Sequence, residues 1–193
     1  MRIDHVIYAT RDLDSVAARL ESELGVAAVG GGRHEGLGTH NQILPLGGGY
    51  LELLAVCDPE EAAGSALGAA LQARIEQQGE GLMGWAVALD DIEPVADRLG
   101  CPITRIARQG MSARLTGLAE SLRQPFLPFF IARDSGVADP GTAAAANGIT
   151  WIELAGDRAL LERWLGGAEL PVRIAEGPPG VRAVGISDRE LRT

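Results

Sequence analysis

Basic side chains are in the minority. The chain of 193 residues carries 17 Lys and Arg against 26 Asp and Glu, a net charge of -9. That disfavours a nucleic acid or an anionic membrane surface as a partner, because both demand a basic face. Long apolar runs are also missing: no stretch of 18 apolar residues exists, so no transmembrane helix is expected. The first residues, Met1 to His5, enter a strand pattern directly, without the apolar segment of a secretion signal. There are only two cysteines, Cys57 and Cys101, far apart and without metal-type spacing. They read as reduced thiols in a cytoplasmic protein rather than as a disulfide. Aromatic residues amount to 4%, few enough that each can be placed. What is present, 46% hydrophobic and 22% charged residues, describes a globular chain with one full domain or two small modules sharing a core.

The pattern along the chain is α+β. Ile3 to Thr10 alternates as a strand, with Ile3, His5, Ile7 and Ala9 on one face and Asp4, Val6 and Tyr8 on the other. Asp12 reads as the N-cap of a helix with Leu13, Val16, Ala17, Leu20 and Leu24 at helical spacing, stopped by Gly25. A second strand begins at Val26 to Val29. His40 to Leu46 and Tyr50 to Val56 form a hairpin around three glycines. The order over residues 1 to 57 is therefore β-α-β-β-β.

The order then repeats. After an Ala- and Leu-rich helical connector (58 to 81), Leu82 to Leu89 is strand-like, and "DIEPVADRLG" (91 to 100) echoes "DLDSVAARLESELG" (12 to 25). The Asp start, the Val at the fifth place and the Arg-Leu at the eighth and ninth all match. Strands follow at Cys101 to Ala107 and Pro125 to Ala132, with a weaker one at Met111 to Thr116, closing a second module at residue 132. Such a repeat of about 80 residues is too long for a solenoid and suits a duplicated half-domain. Residues 134 to 148, rich in Ala, Gly, Asp and Pro, read as a mobile surface loop. "ITWIELAGDRALLERWLG" (149 to 166) opens a third, shorter βα-type unit that runs to residue 193, with strands at Val172 to Ala175 and Val181 to Ile186 around a Gly-Pro-Pro-Gly turn. Together these make a single domain, residues 1 to 193, of repeated βαβββ modules forming a cupped mixed sheet.

One carboxylate is out of place. Glu52 sits among leucines in "GGGYLELLAV". Burying an unpaired carboxylate costs several kcal/mol, so an apolar strand keeps one only beside a partner or a wet cavity. Glu52 is expected to face a polar cleft.

Four segments, "IDHVIYATRDLD", "GGRHEGLGTHN", "GGGYLELLAV" and "LPFFI", together with the paired modules, resemble the vicinal-oxygen-chelate superfamily, which includes glyoxalase I, extradiol dioxygenases, epimerases and antibiotic-sequestering proteins. The likeness is greatest to a glyoxalase-like domain family. The resemblance implies that two cups form a cleft for a divalent metal (Mn, Fe, Ni, Zn or Co) and a small oxygen-bearing ligand. It also implies ligands from the first and fourth strands of each module. His5 and Glu52 fill those places in the first module, as metal ligands or as catalytic groups. Aligning "DHVIYAT" with "GWAVALD" puts Trp85 in the second histidine's place, and aligning "YLELL" with "PFFIA" puts Phe130 in the second glutamate's place; neither binds such a metal. The four-ligand set is incomplete.

Other residues are candidates for the cleft. If the hairpin loop has three residues, His40 shares the face of Glu52 but lies four residues along the strand, roughly 13 Å away. A loop of two residues turns Asn41 inward instead. His34, in a glycine-rich turn, can swing over the cleft, and that turn lacks the spacing of a phosphate-binding loop. Glu153 in "TWIEL" is a substitute carboxylate under a different threading. Trp85, Phe126, Phe129 and Phe130 are candidates for the core or for an apolar cleft wall.

The expected function is that of a small-molecule binding protein with an incomplete metal-ligand set, taking a metabolite or antibiotic in the cleft. The alternative is a metal-dependent lyase, isomerase or dioxygenase using His5 and Glu52. Expected partners are a small molecule and, as an option, a second copy in a homodimer; nucleic acid and membrane are not expected.

Overall fold

The structure, a computed structural model, describes residues 1–108, 111–143 and 148–192. It is α+β, with a curled eight-stranded sheet and a second sheet of four strands.

The first module runs β1 (Arg2–Ala9), α1 (Leu13–Leu24), β2 (Val29–His34), β3 (Thr39–Pro45) and β4 (Tyr50–Val56). Helix α1 starts because the Asp12 carboxylate accepts the Ser15 N–H, and it ends where Gly25 takes a left-handed conformation, φ 71°. Two connector helices follow, α2 (Pro59–Ala63) and α3 (Ala66–Gln78). The second module repeats the order as β5 (Gly81–Ala88), α4 (Glu93–Leu99), β6 (Ile103–Arg108), β7 (Met111–Thr116) and β8 (Phe129–Arg133), with the short α5 (Leu118–Arg123) before β8. Helix α4 begins one residue later than the repeat implies, with Pro94 in its first turn and no side-chain cap.

The eight strands lie in the order β2-β3-β4-β1-β5-β8-β7-β6. Each module pairs its first strand parallel with its fourth, and the two first strands meet antiparallel at the centre. The registers make the modules superposable: His5 lies opposite Tyr50 as Ala86 lies opposite Phe129. It follows that Tyr50 matches Phe129, Glu52 matches Ile131 and Leu54 matches Arg133.

The third unit contains the strands expected at 172 to 175 and 181 to 186, plus one more. Its elements are β9 (Ile149–Ala155), α6 (Arg158–Leu165), β10 (Val172–Ala175), β11 (Gly180–Ile186) and β12 (Arg189–Arg192). The element order is again βαβββ, but the pairing differs: β10-β9-β11-β12, with β10 parallel beside β9. Here the strand after the helix returns next to the strand before it, whereas in the two modules it goes to the far edge. The loop before this unit holds a turn of 3-10 helix, Pro140–Ala143, and is bound to the β3–β4 turn. Gly47 N donates to Gly141 O at 2.7 Å and Gly148 N to Leu46 O at 2.6 Å. The mobility expected of residues 144–147 concerns residues outside the described ones. Among the described residues, no helix is long and apolar enough to cross a membrane.

Two apolar layers flank the large sheet. On the outer face, Val6, Leu51, Leu53, Trp85 and Phe130 pack with Leu20 of α1, Trp164 of α6 and Ile152 and Val184 of the second sheet. On the inner face, Ile7, Ala9, Leu54, Leu115 and Ile131 pack under Leu71 and Ile75 of α3. The connector helix thus closes one end of the cup, and the end beside His5 and Glu52 is left to polar groups. Truncating Leu71, fully buried in that plug, to alanine is expected to cost about 2–5 kcal/mol.

Candidate functional site

Pairing between β1 and β5 slips by one residue at Asp4: Ile3 lies opposite Val87 and His5 opposite Ala86. Asp4 is therefore the extra residue of a β-bulge, and the bulge re-aims it. Ile3 joins Val6 and Tyr8 on the outer face, and Asp4 turns toward His5. The strict alternation expected from the sequence, with Ile3 beside His5 and Asp4 on the opposite face, fails here for that reason.

Asp4 is wholly buried and uses both oxygens. Arg133 Nη1 donates to Oδ1 at 2.6 Å, Arg133 Nη2 donates to Oδ2 at 2.9 Å, and His5 Nδ1 lies 2.7 Å from Oδ2. Burial alone would raise the Asp4 carboxyl, but the hydrogen bonds from His5 and Arg133 outweigh it and hold the group well below the usual carboxylate range. Burial likewise opposes the Arg133 charge, and Asp4 overrides it, keeping the guanidinium above its ordinary value. An ionised Asp4 has no proton to give, so the hydrogen between the two residues belongs to His5 Nδ1. In the neutral ring Nε2 is then a bare acceptor.

The ring is fixed from both sides. Tyr50 stacks on it at 4.6 Å between centroids, and Phe129 meets it edge-on at 5.4 Å. Tyr50 also accepts a 3.3 Å hydrogen bond from Arg133 Nη2, and burial pushes its phenol upward, so it stays neutral.

His5 Nε2 points at Glu52 Oε2, 3.4 Å away, without a hydrogen-bond partner. Glu52 is 13% exposed, and its other oxygen accepts Asn41 Nδ2 at 2.5 Å. Asn41 faces inward because Pro45 pairs with Tyr50, leaving a four-residue loop with the parity of a two-residue one. Gly31 and Gly32 oppose the single Asn41 in a second bulge, where Gly32 N donates to Asn41 Oδ1 at 3.0 Å. A Cβ on Gly31 would fall 2.0 Å from the Asn41 carbonyl oxygen, so the backbones meet only through glycine. Beyond that bulge, His34 Nδ1 contacts Thr39 Oγ1 at 2.9 Å, and its Nε2 comes within 3.9 Å of Glu52 Oε1.

The structure thus brings together His5, Glu52, Asn41 and His34. It does not bring His40, Trp85 or Phe130 to them. His40 pairs with Ala55 and faces away from Asn41. Trp85 and Phe130 are fully buried on the outer face, Trp85 donating to Phe126 O and Phe130 packing on Trp164. The cleft wall expected from them is corrected by one residue in each strand: the inner-face positions are Ala86 and Phe129, and the match to Glu52 is Ile131. Glu153 lies on the second sheet, paired with Arg192 at 2.9 Å. Asp4, Tyr50 and Arg133 were not expected at the site. The signals for them were a carboxylate adjacent to the first-strand histidine and an arginine closing the apolar run "FFIA".

A divalent metal fits these residues poorly. The second module offers Ala86 and Ile131 where ligands would stand, and among the described residues no group of three His, Cys, Asp or Glu side chains is arranged to hold an ion.

Comparison with known proteins agrees with this architecture. A hypothetical protein from Staphylococcus aureus shares 16% identity, with a TM-score of 0.72 over 95% of this chain and 89% of that one. A methylmalonyl-CoA epimerase variant from Streptomyces coelicolor, in complex with 2-nitronate-propionyl-CoA, shares 19% identity, with a TM-score of 0.53 over 71% of this chain and 96% of that one. The methylmalonyl-CoA epimerase from Mycobacterium tuberculosis gives 18% and 0.52, over 68% and 86%. Likeness at these identities concerns the fold. No curated protein sequence matches the chain. The glyoxalase-like domain model matches residues 3–167, both modules and the start of the third unit, and on that match the chain belongs to the glyoxalase-like domain family.

Proposed function

We propose that this chain binds a small organic molecule at the His5–Glu52 end of its cup, and does so without the metal typical of the superfamily. One observation carries the reading. A buried imidazole nitrogen with no hydrogen-bond partner faces a carboxylate oxygen at 3.4 Å. With Nδ1 protonated and the ring neutral, both are acceptors, and two acceptors at that distance are unfavourable until one takes a proton or a donor bridges them from the side. A ligand hydroxyl, amine or acidic C–H supplies that donor.

The same pair suits proton transfer. Nε2 can take a proton from the ligand, Asp4 stabilises the resulting imidazolium, and Glu52 can accept or return a proton from its wetter side. Asn41 and His34 fix the carboxylate's orientation. Phe129, in edge contact with His5, and Ile131, packed with Leu71 and Ile75 of α3, give the site an apolar border beside its polar groups. The structural neighbours include an epimerase holding a CoA ester of a small acid, which puts short acyl-CoA compounds first among those to test.

The test is thermal denaturation of chelator-treated protein against methylmalonyl-CoA and a panel of hydroxy and oxo acids. A compound that raises Tm in the native chain and fails to do so in Glu52→Ala and His5→Ala supports the reading. If no compound shifts Tm, or the variants respond like the native chain, the cup does not serve as a binding site.

A further inference from the structure

The second module supplies no ligand of its own to the cup, yet its last strand sends Arg133 into the first module's site. We propose that Arg133 is a positioning residue for His5: its two-pronged grip on Asp4 fixes the imidazole with Nδ1–H on Asp4 and Nε2 bare toward Glu52. This rests on the reading that Nε2 is the ligand-facing atom, and adds what keeps it so.

The geometry carries the argument. Arg133 and His5 share one acceptor atom, Asp4 Oδ2, at 2.9 and 2.7 Å, while Oδ1 takes the second prong at 2.6 Å. A carboxylate held by a guanidinium fork stays ionised and only accepts, so it dictates the tautomer of any ring nitrogen it touches. The guanidinium is committed to Asp4, which both Nη atoms serve, and Nε is left buried without a partner. Arg133 Nε and His5 Nε2 are the two buried side-chain polar atoms without hydrogen bonds among the described residues, and both belong to the chain Arg133–Asp4–His5. A purely structural ion pair between β1 and β8 would require the fork but would be indifferent to which nitrogen of His5 carries the hydrogen.

The chain has three histidines, so the test reads three rings. Nitrogen-15 spectra of the imidazoles at neutral pH, with signals assigned through His34→Gln and His40→Gln, report which nitrogen is protonated. In the native protein His5 is expected to show a protonated Nδ1 and a bare Nε2. In Arg133→Met that pattern collapses to a mixture of forms. Arg133→Lys keeps a charge without the fork and recovers it in part; it also supplies the readout if the methionine variant does not fold. A native His5 with its hydrogen on Nε2, or a pattern unchanged in both variants, overturns the proposal. The spectra need no ligand, so an unsuccessful compound screen leaves this result standing. A wrong tautomer would instead leave ligand binding intact but reassign the atom that does it.

Discussion

The two modules have one topology and opposite interiors. At matched places the first has His5, Glu52, Asn41 and Tyr50, and the second has Ala86, Ile131, Ala113 and Phe129. Where the first module would bind a cation or a proton, the second packs against its neighbours. The exchange runs the other way at one pair: Leu54 matches Arg133, and there the second module holds the charge. Duplication has therefore produced one polar half-cup that depends on the other half for its counter-ion. The two halves are chemically distinct and electrostatically joined at Asp4.

Cutting that joint should have the largest effect. Arg133→Met leaves a wholly buried carboxylate without its guanidinium fork, with only Arg2 Nη1 remaining at 3.8 Å from Oδ1, a loss of about 3–5 kcal/mol in urea unfolding. The same pair sets the acid limb of stability. Because the folded Asp4 carboxyl lies below its unfolded value of about 3.9, its contribution is present above that pH and fades as pH falls toward the folded value. The native chain should weaken below about pH 4, and an Arg133 variant should lose much of that slope.

The comparison can also be reversed. Ala86→His with Ile131→Glu gives the second module the ligand types of the first. Without metal the doubly substituted chain should be destabilised, since it buries a new carboxylate. Added Zn or Mn at 100 times its Kd should return about 2.7 kcal/mol, visible as a metal-dependent Tm that the native chain lacks.

Trp85→Phe probes the face on which the two modules agree. Losing the Trp85 N–H bond to Phe126 O and part of the ring should cost about 1–3 kcal/mol and leave ligand binding unchanged, because the side chain lies on the outer face. Glu52→Ala should have the smallest effect on stability, about 1 kcal/mol or less in either direction, since it removes a bond from Asn41 and also an unfavourable approach to His5. Its effect belongs in ligand binding.

Much of this was legible in the sequence. The repeated Asp-start, Gly-stop helices marked both modules, and the cost of burying a carboxylate among leucines raised the expectation that Glu52 faces polar groups. His5 and Glu52 followed from family resemblance and do face one another. The parts that could not be read are those set by pairing. A bulge inserts one residue and reverses the faces beyond it, and nothing in "RIDHVIYA" marks Asp4 as the extra residue. The same one-residue ambiguity put Trp85 and Phe130 in the places of His5 and Glu52, where Ala86 and Ile131 stand. The third unit repeats the element order, and order alone does not say whether the strand after a helix returns beside its predecessor or crosses to the edge. That α3 would fold over Ile7 and Ile131 was equally hidden, because an Ala- and Leu-rich connector has no residue type naming its partner.

The most direct test of the account is metal content. Protein purified without an affinity metal column should carry no stoichiometric Mn, Fe, Ni, Zn or Co by elemental analysis, and its Tm should not move when these ions are added. Near one ion per chain, lost in Glu52→Ala, would contradict the account and make the first module a metal site after all.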